Sequence, residues 1–143
     1  MLSRDNTKVV TFDWDAALDF NGQAAPYIQY AHVRAGSILR RAGLELPEEA
    51  SFPENLEKAE VDLIELMTRL PNEIVRAAEE YRPLIIANLA YDLAKAFNDF
   101  YNSCQVLNTP PDIRAYRLRL VAAAKQVIST CLNLLGITPP SAM

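Results

Sequence analysis

Leu84-Ile85-Ile86-Ala87-Asn88-Leu89-Ala90-Tyr91-Asp92-Leu93-Ala94-Lys95-Ala96-Phe97-Asn98-Asp99-Phe100-Tyr101-Asn102-Ser103-Cys104 is the stretch that decides the fold. Leu84, Ile85, Ala87, Leu89, Ala90, Leu93, Ala94, Phe97 and Phe100 leave little of its circumference polar. A helix of that kind is buried on most sides, so it belongs at the centre of a bundle. It is expected to start near Pro83 and to reach about Cys104, with Phe97 and Phe100 in the core.

Working outward, the neighbours read as helices too. Upstream, Leu56, Ala59, Leu63, Leu66, Met67 and Leu70 recur at spacings of three and four and predict a helix from Asn55 to Leu70. Pro71 breaks it and opens another, roughly to Tyr81, with Ile74, Val75 and Ala78 as its apolar side. Further back, Pro26 suits a first helical turn, where a missing N–H costs nothing, and Gly43 is a natural stop, which frames a helix over Tyr27 to Ala42. Downstream of the loop Asn108-Thr109-Pro110-Pro111, a last helix is expected from about Asp112 to Leu135, closed by Gly136. Lys8-Val9-Val10-Thr11-Phe12 is the one convincing strand candidate, too isolated to build a sheet. Leu44 to Pro53, with two prolines and three glutamates, reads as a linker. Four or five helices with short connections make an all-α bundle with a short N-terminal strand or extended segment.

The chain has 143 residues, half of them apolar, enough for one domain with a real core. No apolar run approaches the roughly 20 residues that cross a bilayer, and the N-terminus is polar and mixed in charge, so a soluble protein without a membrane partner is expected. Cys104 and Cys131 lie in helical segments without paired metal or redox spacing, which suits core thiols in a reducing compartment. Net charge is −4, unfavourable for a nucleic-acid partner taken alone. Its distribution is uneven: residues 51–109 carry 5 basic and 10 acidic side chains, whereas residues 110–143 carry 4 and 1, a local charge of +3.

Nothing in the sequence assembles a catalytic site. His32 is the sole imidazole, placed on a helix rich in Tyr and Arg, where a surface or packing role outweighs a ligand role. Asp13/Asp15 and Glu79/Glu80 read as solvated carboxylates, and the four glycines form no phosphate loop.

Three stretches carry a resemblance. Phe12-Asp13-Trp14-Asp15 followed by Asn21 to Leu39 resembles the passage from catalytic to anticodon-binding domain in arginyl-tRNA synthetases, a class I family. Leu89 to Cys104 is similar to the central helix of that family's DALR-type anticodon-binding domain. Arg117 to Ile128, then Leu134-Leu135-Gly136-Ile137 and Pro139 to Met143, looks like its last helix and tail. Gln105 departs from a proline common there, and Asn21 and Ala24 fall in a variable turn. The resemblance implies that residues 1–20 are the end of a catalytic domain and residues 21–143 the helical anticodon-binding domain. It also implies arginine tRNA and the catalytic domain of the same polypeptide as partners, with no DNA, and a cytoplasmic location. The ATP-binding signatures of class I ligases, a His-x-Gly-His and a Lys-Met-Ser-Lys-Ser type sequence, are missing, and Met1 to Arg4 resembles the stretch just after the second. The expectation is therefore a chain without catalytic residues or a cofactor of its own, ATP and Mg belonging to the full-length enzyme. Alternatives are a free-standing RNA-binding or assembly module and a helical protein-interaction domain, which the acidic middle segment favours.

Single-stranded loops are read by aromatic and flat cationic surfaces while basic side chains hold the backbone. Arg114, Arg117 and Lys125 share a face of the last helix, whereas Arg119 falls about 160° away. On the central helix Tyr91, Asn98 and Tyr101, at intervals of seven and three, are neighbours. The tyrosine hydroxyls suit a buried network as well as they suit base stacking. The resemblance adds Met143 and its carboxylate near the anticodon, on a tail stiffened by two prolines. These seven residues, Tyr91, Asn98, Tyr101, Arg114, Arg117, Lys125 and Met143, form the expected tRNA-binding set.

Overall fold

The computed structural model describes residues 25–43 and 52–143. The expected strand at Lys8–Phe12, the boundary near residue 20 and most of the linker lie outside them.

Five helices are described: α1 (Ala25–Ala42), α2 (Lys58–Thr68), α3 (Leu70–Glu79), α4 (Leu84–Ser103) and α5 (Pro111–Leu134). Among the described residues there is no strand, and no helix is long and apolar enough to cross a membrane. Pro26 takes the first turn of α1, and Gly43 ends it with φ +101, in the left-handed region where a Cβ is unfavourable. α2 starts three residues after Asn55, because Glu57 stays extended at φ −69, ψ 147 and offers its N–H to the Glu60 carboxylate at 2.8 Å. That reciprocal contact satisfies a donor that the first helical turn would otherwise leave orphaned. Arg69 alone separates α2 from α3, and Pro71, in the first turn of α3, needs no intrahelical partner.

α4 is the spine. α1 packs on α5 and α4, α2 lies along α4, and α3 crosses the outside of α4 without contributing a buried residue. Phe97, Phe100, Leu93, Leu63, Val121, Ile128 and Leu132 are fully enclosed. Cys104 and Cys131 are free and buried, and burial pushes the Cys131 thiol up to about 11.

Two helix ends differ in chemistry. α5 closes on Gly136 at φ +74, with the Ile137 N–H donating to Leu132 O at 2.9 Å. α3 closes the same way without a glycine: Tyr81 sits at φ +53 while the Arg82 N–H reaches Ala77 O at 2.9 Å. The residue is 85% exposed, so among the described residues little packing offsets the backbone strain.

Candidate nucleic-acid interface

α1 and α4 bring together a cation and a ring of aromatics. Tyr27, Tyr30 and Arg34 recur at three and four along α1, so they share one face. That face meets Asn98 and Tyr101 of α4. The Arg34 guanidinium donates to Asn98 Oδ1 at 2.8 Å and to the Tyr30 hydroxyl at 3.0 Å. It also lies over two rings, 4.6 Å from the Tyr30 centroid and 4.8 Å from that of Tyr101. Asn98 completes the link by donating through Nδ2 to the Tyr27 hydroxyl at 3.1 Å. A guanidinium cannot accept, so the Asn98 oxygen must face Arg34, and the amide orientation follows. Tyr91 supports the set from beneath, its ring 5.3 Å from that of Tyr27.

The result is a platform with a fixed base and an open top. Tyr27, Tyr91 and Asn98 are half-buried, whereas Tyr30 and Tyr101 are 47% and 40% exposed. An immobilised guanidinium between accessible rings is what a splayed base can stack on, at little ordering cost. Tyr91, Asn98 and Tyr101 thus converge as their spacing suggested, and the hydroxyl of Tyr27, not Tyr91 or Tyr101, closes the polar network. Tyr27, Tyr30 and Arg34 enter the candidate site from the structure and not from the sequence. Their three-four spacing, with an aromatic and an arginine one turn apart, was the available signal.

The basic residues of α5 do not act as one patch. Arg117 turns inward: its Nε donates to Glu60 Oε1 at 2.7 Å, and its Nη1 to Gln105 O at 2.8 Å. The pair is enclosed, with side-chain exposures of 13% and 2%. Arg117 therefore ties α5 to the start of α2 and to the turn after α4. Arg119 lies on an exposed position of α5. Arg114 and Lys125 are half-exposed, and among the described residues no carboxylate stands within ion-pair distance of either.

Lys125 reaches across to α1. A Cβ built on Gly36 would lie 3.5 Å from Lys125 Cε and 3.4 Å from Arg40 Nη1, so both cations lie over this glycine. His32 is one turn away and buried. Its Nδ1 stands 3.1 Å from Pro140 O, and burial, followed by the charge of Lys125, lowers its pKa against the raising effect of that backbone contact. His32 is thus a packing residue within this chain. Arg40 makes a longer contact of 3.5 Å to Ser141 O. The tail folds back over α1, and Met143 at its end is 67% exposed.

A groove of about 560 Å³ runs between α2 and α4 on another flank, lined by Glu57, Asp62, Asp92 and Asp99 with Lys58 and Lys95. Its carboxylates outnumber its amines, which repels a polyanion. The platform, and not this groove, is the nucleic-acid candidate.

The profile of the DALR anticodon binding domain matches residues 28–143. The arginine–tRNA ligase of Haloarcula marismortui is 40% identical over 143 residues, which are 100% of this chain and 25% of that protein. The arginine–tRNA ligase of Pyrococcus abyssi is 42% identical over 147 residues, 100% of this chain and 23% of its own length. Among solved structures, the Thermus thermophilus arginyl-tRNA synthetase superposes with a TM-score of 0.82 at 36% identity, over 95% of this chain and 24% of that one. The Plasmodium falciparum arginyl-tRNA synthetase gives 0.86 at 25% identity, over 99% and 25%. The chain spans about a quarter of the length of these relatives. With its helical bundle and a profile match over residues 28–143, the chain belongs to the DALR anticodon binding domain family.

Proposed function

We propose that this chain is the tRNA-binding portion of an arginine–tRNA ligase and holds the anticodon loop of arginine tRNA while a catalytic domain aminoacylates the other end. The observation that carries this reading is Arg34, fixed by Asn98 and Tyr30 and overlain by the exposed rings of Tyr30 and Tyr101. Unpaired bases stack on Tyr30 and Tyr101, with Asn98 and Tyr91 supporting them. Arg114 and Lys125 hold phosphates, the tail ending at Met143 lies against the loop, and Arg117 maintains the surface from within. Residues 1–20 form the end of the catalytic domain, where arginine activation with ATP and Mg takes place, in the cytoplasm. Two facts support this reading: the named relatives are ligases, and the matching region is about a quarter of each.

The test is titration of the purified chain with an anticodon stem–loop of arginine tRNA, with the same hairpin carrying a changed anticodon, and with its DNA counterpart. Binding of the first, several-fold tighter than of the other two, is expected. Equal affinity for all three defeats the anticodon reading and leaves a general RNA-binding or assembly module. No binding to any points to a protein-interaction domain working through the acidic α2–α4 groove.

A further inference from the structure

The tail after α5 is not simply the end of a helix. Gly136 turns the chain through the left-handed region, Ile137 donates to Leu132 O at 2.9 Å and packs on the core, and Pro139 and Pro140 lie half-buried. The segment then crosses α1, where His32 meets Pro140 O at 3.1 Å, 108 residues away in sequence. A carbonyl oxygen only accepts, so Nδ1 carries the proton and donates. Burial of the ring, together with Lys125 of α5, keeps His32 neutral in neutral solution, with that proton committed to the tail. Two prolines beside the contact limit the conformations the tail would otherwise explore. The second contact, Arg40 to Ser141 O at 3.5 Å, is longer and exposed, so it cannot replace the first.

We infer that His32 is the positioning residue of the C-terminal tail: its Nδ1–H clasps Pro140 O and so holds residues 139–143 over α1, beside Arg40 and Lys125, as one wall of the RNA-binding surface. The last clause rests on the RNA-binding reading above; the clasp itself does not. A clasped tail enters the complex already ordered, whereas a loose one loses conformational entropy on binding.

The experiment has two arms on the full chain. In the first, backbone order parameters from ¹⁵N relaxation are measured without RNA for the chain as it is, for His32→Leu and for His32→Asn. The leucine removes the donor at similar volume, and the asparagine amide keeps a donor near the position of Nδ1. Order parameters at Thr138 and Ser141 are expected to fall below ~0.6 in His32→Leu and to be largely restored in His32→Asn. An unchanged tail in His32→Leu overturns the clasp. In the second arm, affinity for the arginine anticodon stem–loop is compared between the full chain and one shortened after Thr138, each with and without His32→Leu. Shortening and His32→Leu should each weaken binding by roughly three- to tenfold in the full chain, and the substitution should add nothing once the tail is gone. Unchanged affinity on shortening, or equal losses from His32→Leu in both backgrounds, overturns the role in binding. If His32→Leu fails to fold, shortening alone decides this arm, and His32→Phe, which also lacks a donor, takes its place in the first, where an unchanged tail overturns the clasp. Failure of every version to bind RNA refutes the functional reading, and the relaxation arm still decides the clasp.

Discussion

The Glu60 carboxylate and the Arg117 guanidinium meet at 2.7 Å inside the bundle, 57 residues apart in sequence. The same carboxylate receives the Glu57 N–H through its other oxygen, and the same guanidinium reaches Gln105 O. One ion pair therefore joins the start of α2, the turn after α4 and the first half of α5. Removing a single partner leaves the other charge buried without compensation.

Arg117→Ala is accordingly expected to destabilise the fold by about 3–5 kcal/mol, read from urea unfolding. The double change Glu60→Leu with Arg117→Leu should recover most of that loss, since no charge is then stranded. A stable Arg117→Ala chain that is weakened only in RNA binding would return Arg117 to the phosphate-contacting set.

The platform should behave in the opposite manner. Tyr30→Ala and Tyr101→Ala are each expected to cost about 1–3 kcal/mol of stem–loop affinity, measured by fluorescence anisotropy. Both rings are widely exposed, so the melting temperature should barely move. A large loss of stability with unchanged affinity would make these rings structural.

Salt dependence separates stacking from phosphate binding. Replacing Arg114 or Lys125 by Gln should lower the slope of log K against log salt by roughly 0.7–0.9 for each phosphate that is no longer neutralised. Tyr101→Ala should leave that slope intact, because stacking releases no counterion. Slopes identical across all three variants would exclude Arg114 and Lys125 from the interface.

At the end of α3, Tyr81→Gly is expected to stabilise the protein by about 1 kcal/mol, seen as a rise of a few degrees in Tm. The residue holds φ +53 and is 85% exposed, so strain is relieved and little packing is sacrificed. A lower Tm would show that the Tyr81 side chain stabilises the fold by more than its backbone strain costs.

His32 gives the fold a pH dependence. Burial lowers its pKa in the folded state below the ordinary 6.5, Lys125 adds to this, and Pro140 O opposes it. The unfolded chain then binds the proton more readily, so this contribution is complete above pH ~6.5 and is lost as pH falls through the lower folded value. Unfolding free energy should fall between about pH 7 and pH 5, and His32→Asn should flatten that part of the profile. An identical profile in the variant would show that His32 titrates alike in both states.

The bundle was legible because α4 is apolar almost all round and because proline and glycine mark the ends of its neighbours. Helix starts were less so: nothing in the apolar spacing of α2 shows that Glu57 remains extended to receive its cap. On α4 the spacing of Tyr91, Asn98 and Tyr101 pointed to half of the platform. Its other half lies on α1, 64 residues from Asn98 in the case of Arg34, and a tertiary contact at that separation has no local signature. The inward placement of Arg117 was not legible for a related reason. Helical spacing places it on a face with Arg114 and Lys125, but whether an arginine points to water or to a carboxylate depends on the helix opposite, here α2 with Glu60.

The acidic α2–α4 groove gives the net charge of −4 a use of its own. Asp92 and Asp99 stand roughly 80–100° around α4 from the nearest platform residue, Tyr91, so one rod carries an acidic flank and an aromatic one. On the proposed RNA-binding reading, an approaching hairpin would exert a torque on the molecule before contact, turning the acidic flank away and the platform with Lys125 toward it. A uniformly basic domain would capture the hairpin in many orientations and then have to search among them. On the same reading this one would make a share of encounters unproductive at a distance, so that those reaching contact would arrive turned toward the rings of Tyr30 and Tyr101.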